Sequence, residues 1–290
     1  MPELPEVEAL ALDLKGRLAE RAIVRVDLAA FSALKTFDPP LTALQGTLVD
    51  DVTRHGKFLD VHASGLHLVM HLARAGWVRW RDEVPATPPK PTNKSPLAAR
   101  IVLDDESGLD VTEAGTKKSL AMYVVRDPLD VPGIASLGPD PLTDDFTVER
   151  LREILLGEGR KQVKGVLRHQ GTVAGIGNAY SDEILHAARM SPYRSATSVV
   201  EDEESLVILH DAIRVTLGDA VDRSRGLAAS ELKGEKKSHL TVHGRTGQAC
   251  PVCGDVVREV SFADSSLQYC PTCQTGGKPL ADRRMSKLLK

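Results

Sequence analysis

The sequence predicts an α+β protein: an N-terminal helix, an antiparallel β sandwich, then a helical region that ends in a four-cysteine zinc ribbon. Three observations carry this. Apolar residues recur at three- and four-residue spacing over 6–18, short β-branched runs follow as far as residue 127, and all four cysteines fall after residue 240 in two Cys-x-x-Cys pairs. A chain of 290 residues, 42% hydrophobic and 27% charged, has material for two domains with cores of their own.

The first element opens with "MPELPEVEAL". Pro5 suits a first helical turn, and Glu6 and Glu8 sit well against the positive end of the helix dipole. Val7, Leu10, Ala11, Leu14 and Leu18 form its apolar stripe. The period then shortens. "AIVRVDLAA", "TLVDDV", "KFLDVHA", "LHLVMHLA", "WVRW", "ARIVLDD", "GLDVTEA" and "LAMYVVRD" read as the strands of the sandwich, interrupted by a Pro-rich loop at 84–96. The stretch 126–142, "RDPLDVPGIASLGPDPL", has the proline and glycine of an interdomain linker. Helical patterns follow at Phe146–Leu156, Val163–His169, Asn178–Ala188 and Glu203–Val221. The expected organisation is a sandwich domain at 1–130, a linker at 131–142, a helical domain at 143–239 and a zinc ribbon at 240–290.

No stretch approaches the roughly 18–20 apolar residues of a membrane span, and an acidic N-terminus does not suit a signal peptide. A cytoplasmic protein without a membrane partner is the expectation. The formal net charge of −3 does not advertise nucleic-acid binding, but from residue 231 onward ten Lys/Arg stand against six Asp/Glu, so the basic charge is concentrated at the C-terminal end.

Capping explains Pro5 and Glu8 but leaves Pro2 and Glu3. Removal of Met1, usual before a small residue, would turn Pro2 into a free secondary amine. An α-amino group titrates at roughly 7.7–8, so part of it is neutral and nucleophilic near pH 7. Condensed with a sugar aldehyde it gives a cationic iminium, an electron sink. Glu3 could move protons beside it, work worth roughly 10²- to 10⁴-fold.

Three further patterns carry chemistry. Cys250-Pro-Val-Cys253 and Cys270-Pro-Thr-Cys273, with sixteen residues between the pairs, have the spacing of a four-thiolate zinc site. Two disulfides would use the same residues, and a reducing compartment opposes them. Four thiolates leave no open position, so one structural zinc ion is expected. "VKGVLRHQGTVAGIGNAYSDEILHAA" at 163–188 reads as a short helix, a turn with Gly171, Gly175 and Gly177, and a second helix that Asn178 can cap. Amides at such a helix start bind phosphates, and Lys164 could add a contact. "TRHGKFLDV" at 53–61 presents Lys57 on a glycine-assisted turn, where a merely solvated lysine is the plain alternative.

These patterns, with the "VHGRTGQACPVC" entry to the ribbon and its "YCPTCQ" exit, occur in an order that resembles the formamidopyrimidine-DNA glycosylase / endonuclease VIII family of bifunctional repair enzymes. The resemblance spans essentially the whole chain. It implies two lobes, a helix-two-turn-helix motif in the helical domain, and double-stranded DNA with a damaged base or abasic site as the partner of a monomer associated with the nucleoid. It makes Pro2 the nucleophile at the sugar C1′, Glu3 the proton donor to the opening sugar, Glu6 its support, and Lys57 the acid-base and phosphate ligand. Asn178 and Lys164 would grip phosphates, with Arg245 near the DNA.

Some positions depart from the family. Arg74 stands where a void-filling methionine is usual, and Lys117 and Lys118 lie in "TEAGTKKSLA" in place of an arginine-phenylalanine loop. Ser265 replaces an arginine that promotes δ-elimination, for which Arg258 on the preceding strand is the candidate substitute. The lysine-rich 226–240 segment holds the place of a lesion-capping loop. His67 and His71 lie on an apolar strand pattern and read as core histidines. The implied activity is base excision, of oxidised bases by expectation, with β-elimination at abasic sites. A damage- or abasic-site-binding protein with weak or no excision is the alternative, and a protein-binding ribbon is a third reading that the Lys/Arg excess opposes.

Overall fold

The first helix starts earlier than its apolar period. In this computed structural model, which describes residues 1–90, 92, 95–262 and 265–281, α1 spans Leu4–Leu18 with Glu3 as its N-cap. The Glu3 N–H donates to Glu6 Oε2 at 2.8 Å in a capping box, and Pro5 occupies the first turn, where no intrahelical amide is needed. Of the ten C-terminal cations, Arg283, Arg284, Lys287 and Lys290 lie outside the described residues.

The chain forms two compact units, one from Met1–Leu137 with Val221–Lys233, the other from Gly138–Ala220 with Gly234–Lys290. In the first unit, strands β1 (Ile23–Leu28), β2 (Val49–His55), β3 (Phe58–Ala63), β4 (Leu66–His71), β5 (Gly76–Arg81), β6 (Leu97–Leu103), β7 (Gly108–Glu113) and β8 (Ala121–Val125) make two antiparallel sheets. Their orders are β1-β6-β7-β5 and β2-β3-β4-β8. Alternation sends Leu59, Val61 and Ala63 of β3 into one core with Leu68 and Met70 of β4, Ile101 and Leu103 of β6, and Val7, Leu10 and Leu14 of α1. The opposite face of the second sheet is covered too. Val69 and Val125 pack against Val131 and Ile134, the latter in the short helix α2 (Pro132–Ala135). A Cβ on Gly133 would stand 2.5 Å from Phe58 Cζ, so any other residue here would have to displace the Phe58 ring. Residues that read as linker therefore begin as part of the sandwich's cover.

The second unit holds α3 (Val148–Glu158), α4 (Val163–Arg168), α5 (Asn178–Ala187), α6 (Ala196–Val200) and most of α7 (Glu203–Ser224). α3 begins at Val148 because the Thr147 hydroxyl accepts the Arg150 N–H at 3.2 Å, and it ends where Gly159 takes φ +57°. The segment after α7 folds where no period was legible. Helix α8 (Leu232–His239) buries its first residue, Leu232, in the sandwich core beside Ala229 of the preceding turn, with Trp77 Nε1 donating to Ala229 O at 2.7 Å. The ribbon consists of β9 (Arg258–Ser261), β10 (Ser266–Tyr269) and α9 (Pro271–Thr275). Among the described residues no helix is long and apolar enough to cross a membrane.

Candidate active site and metal centre

In the first unit the start of α1 is buried although it is ionisable: Glu3 is 3% and Glu6 1% exposed, and Pro2 is buried beside them. Met1 is half exposed. Lys57, 7% exposed, sits in the two-residue turn between β2 and β3, where His55 pairs with Phe58 and Gly56 takes φ +56°. Residues that the sequence did not single out hold this turn. Arg54 Nε donates to Glu8 Oε2 at 2.6 Å, tying β2 to α1, and Arg54 Nη1 donates to Gly56 O at 3.2 Å. His55 Nε2 lies 3.1 Å from the buried Asp60 carboxylate. Glu8, placed by sequence only as a dipole partner, is thus also an anchor.

The two strand histidines are half-buried and partnered within the sheet. His67 Nδ1 meets Asp60 Oδ2 at 3.0 Å and its ring stacks on His62 with centroids 4.5 Å apart. The His71 ring packs on Phe58 at 4.8 Å, and burial, with the nearby Lys57 charge as the smaller cause, holds its pKa below the ordinary histidine value. The turn lysine and His71 are therefore electrostatic neighbours.

Arg74 is exposed at the tip of the β4–β5 turn, which Gly76 N closes on Leu72 O at 2.8 Å. Lys117 and Lys118 are exposed in the loop before β8. That loop is fastened by Glu113, whose carboxylate accepts the Ser119 N–H at 2.8 Å and the Leu120 N–H at 3.1 Å, and the Lys118 ammonium donates to Glu113 O.

In the second unit, Gln170 shapes the turn between α4 and α5: its Oε1 accepts the Gly175 N–H at 3.0 Å and its Nε2 donates to Ile176 O at 2.8 Å. Gly177, not Asn178, is the N-cap of α5. Asn178 instead opens the helix and sends Nδ2 to Ser266 O at 2.8 Å on the ribbon. Lys164 is 5% exposed and donates to Asp182 Oδ1 at 2.6 Å, Ser181 Oγ at 2.7 Å and Asn178 O at 3.3 Å. It ties the helix start together from inside. Among the described residues, Asn178 Oδ1 and Arg245 Nε are buried side-chain atoms without a hydrogen-bond partner. Arg245 Nη1 reaches Leu240 O at 3.3 Å. Arg258 is exposed and pairs across the hairpin with Tyr269, at its base, whereas Ser265 accepts the Phe262 N–H at 2.7 Å at the turn. Four residue steps at about 3.4 Å each separate the two positions, so this pairing does not bring Arg258 to Ser265.

The ribbon's sulfurs converge. Cys250, Cys253, Cys270 and Cys273 are free, and their Sγ atoms lie within 4.8 Å of one another. The separations of 3.9 Å between Cys250 and Cys273 and 3.3 Å between Cys253 and Cys270 exclude disulfides. They suit a tetrahedron with metal–sulfur bonds of about 2.3 Å, whose edges are about 3.8 Å. Amides of Val252 and Cys253 hydrogen-bond to Cys250 sulfur. The ribbon's entry is fixed by α5, where the Glu183 carboxylate accepts the N–H groups of Thr241 at 2.7 Å, Val242 at 3.0 Å and His243 at 2.8 Å. Asp182 Oδ2 lies 2.7 Å from His243 Nδ1.

Known proteins resemble this chain in sequence and fold. The chain matches the formamidopyrimidine-DNA glycosylase N-terminal domain over residues 1–118, the formamidopyrimidine-DNA glycosylase H2TH domain over 137–231, and the zinc finger found in FPG and IleRS over 247–276. It is 34% identical to the formamidopyrimidine-DNA glycosylase of Symbiobacterium thermophilum, over 98% of this chain and 93% of that protein. An uncharacterized formamidopyrimidine-DNA glycosylase-like protein of Mycobacterium tuberculosis is 57% identical over 53% of this chain and 95% of its own. The Lactococcus lactis formamidopyrimidine-DNA glycosylase, solved non-covalently bound to DNA containing an AP site, superposes with a TM-score of 0.80 at 26% identity, covering 94% of this chain and 99% of that one.

Proposed function

The chain belongs to the formamidopyrimidine-DNA glycosylase family, and on that premise we propose that it excises damaged bases of the oxidised class and cleaves abasic sites through a Schiff base on Pro2. The observation that carries this is the buried start of α1, where Pro2 and the carboxyls of Glu3 and Glu6 share one short segment. Half-exposed Met1 is open to an aminopeptidase, and its loss converts the Pro2 amide nitrogen into the amine that the reaction needs.

The nucleotide must first leave the stack. The Pro2 nitrogen then attacks C1′, the base departs with the glycosidic electron pair and takes up the proton that the amine sheds, and Glu3 protonates the ring oxygen as the sugar opens. The resulting iminium acidifies C2′. Loss of a C2′ proton forms the C2′–C3′ double bond as the C3′–O bond breaks and the 3′ phosphate leaves. Lys57 handles protons and phosphate in this step, and Glu6 supports Glu3 through the capping box. Water hydrolyses the adduct and frees Pro2. With Ser265 in place of an arginine, β-elimination is retained and δ-elimination weakened.

On the DNA-binding side, Arg245, with its partnerless Nε, and Asn178 are the phosphate contacts; Lys164 acts by bracing Asn178, while Arg74, Lys117, Lys118 and Arg258 offer exposed cations. Cys250, Cys253, Cys270 and Cys273 hold one zinc ion, which supplies folding energy to the ribbon and no chemistry. The protein acts as a cytoplasmic, nucleoid-associated monomer.

Borohydride trapping on abasic DNA tests the central step. Protein verified to lack Met1 should form a covalent adduct, and protein that retains Met1, whose Pro2 nitrogen is still an amide, should form none in the same time. An absent adduct with the processed wild type would leave a damage-binding protein as the reading.

A further inference from the structure

We infer that His186, a residue of α5 and not of the ribbon, is an outer-sphere partner of the metal centre that positions Cys250 through a hydrogen bond to its sulfur. The inference rests on zinc occupying the four-cysteine site as proposed above. His186 is 5% exposed, and its Nε2 lies 3.3 Å from Cys250 Sγ. The ring is bordered at its other nitrogen as well: Nδ1 stands 3.2 Å from the Thr241 hydroxyl, which donates its one proton to Glu183. Glu183 belongs to the same helix and also gathers the ribbon's entry amides. The imidazole is thus placed from two directions before any metal arrives.

A metal-bound thiolate has no proton to give, so in the loaded site the ring N–H donates to sulfur. Donors of this kind fix a ligand's orientation and offset part of the negative charge that four thiolates place around one dication. Cys250 already accepts the Val252 and Cys253 amides from its own knuckle, and His186 adds a contact from outside it. Sixty-four residues separate His186 from Cys250, so no motif scan would pair them.

The experiment follows zinc transfer from the full-length protein to a chromogenic chelator, with cobalt(II)-loaded protein read by its sulfur-to-metal absorption. His186→Phe keeps the ring volume without the donor and should release zinc roughly 10- to 100-fold faster, the range of losses for such partners, with a shifted cobalt spectrum. His186→Gln, which keeps a donor, should recover most of the difference. Should His186→Phe not fold, Thr241→Val keeps the imidazole but removes its second anchor, and faster release supports the inference while wild-type release overturns it. Equal release and equal spectra for wild type and folded His186→Phe would overturn it, as would a His186→Gln as leaky as the phenylalanine variant. Wild type that takes up neither zinc nor cobalt would end the zinc reading along with it, whereas normal uptake with unchanged release would end this inference alone.

Discussion

His71 reports on the turn that carries Lys57. Its pKa is held down first by burial and then by the lysine's charge, so the neutral ring is the native form at pH 7. The unfolded chain then binds the proton more readily than the folded one. The stability this difference contributes is complete above roughly pH 6.5, the unfolded value, and is lost as pH falls below it toward the depressed folded value. Heteronuclear titration of the imidazole should give a midpoint below 6.5. Lys57→Met should raise that midpoint only part of the way, because burial remains. A midpoint that ignores the substitution would mean that the ammonium does not face the ring, and Lys57 would lose its place beside the strand-end site. The pairing of His71 with Lys57 was not legible in "KFLDVHA" or "LHLVMH", where the alternation marks only which residues face the core.

At the scale of elements, the question is how α1 and the β2–β3 turn stay in register. Glu8 and Arg54 answer it: their side chains are 29% and 6% exposed, so the ion pair is largely shielded from water. Arg54→Ala strands a carboxylate against the sheet and should cost about 1–3 kcal/mol in denaturant unfolding. Glu8→Ala should cost a comparable amount, and the double variant less than the sum, because both remove one interaction. Strict additivity would show that the contact carries no coupling. Elements with a local cause were legible in the sequence. Period fixed α1 and the strands of the sandwich, and cysteine spacing fixed the ribbon. What failed to show depended on distant partners. α8 lies in a lysine-rich stretch that reads as loop, and its preceding turn is held by Trp77, 152 residues away from Ala229. The pairing of Lys164 with Asp182 was not legible either, because that carboxylate arrives only when α4 and α5 pack. His186 and Arg54 were silent for the same reason.

For the whole molecule, charge sets the terms of DNA binding. The chain is formally −3, so its net charge repels a polyanion at long range, and affinity has to come from local cations and helix-start amides. Local contacts release condensed counterions, and each phosphate neutralised contributes about −0.9 to the slope of log affinity against log salt. Anisotropy titrations on a duplex with a stable abasic analogue, repeated across a salt series, should therefore give a steep slope despite the negative net charge. Two variants divide the contributions. Arg245→Ala removes a cation and should flatten the slope by about one phosphate's worth. Asn178→Ala removes a neutral side chain and should lower affinity at every salt concentration while leaving the slope unchanged. An unchanged slope for Arg245→Ala would take that arginine off the phosphate backbone, and its partnerless Nε would need another ligand. A flat salt response in the wild type would go further, because a net-negative chain that binds DNA without releasing counterions cannot be holding the backbone at all.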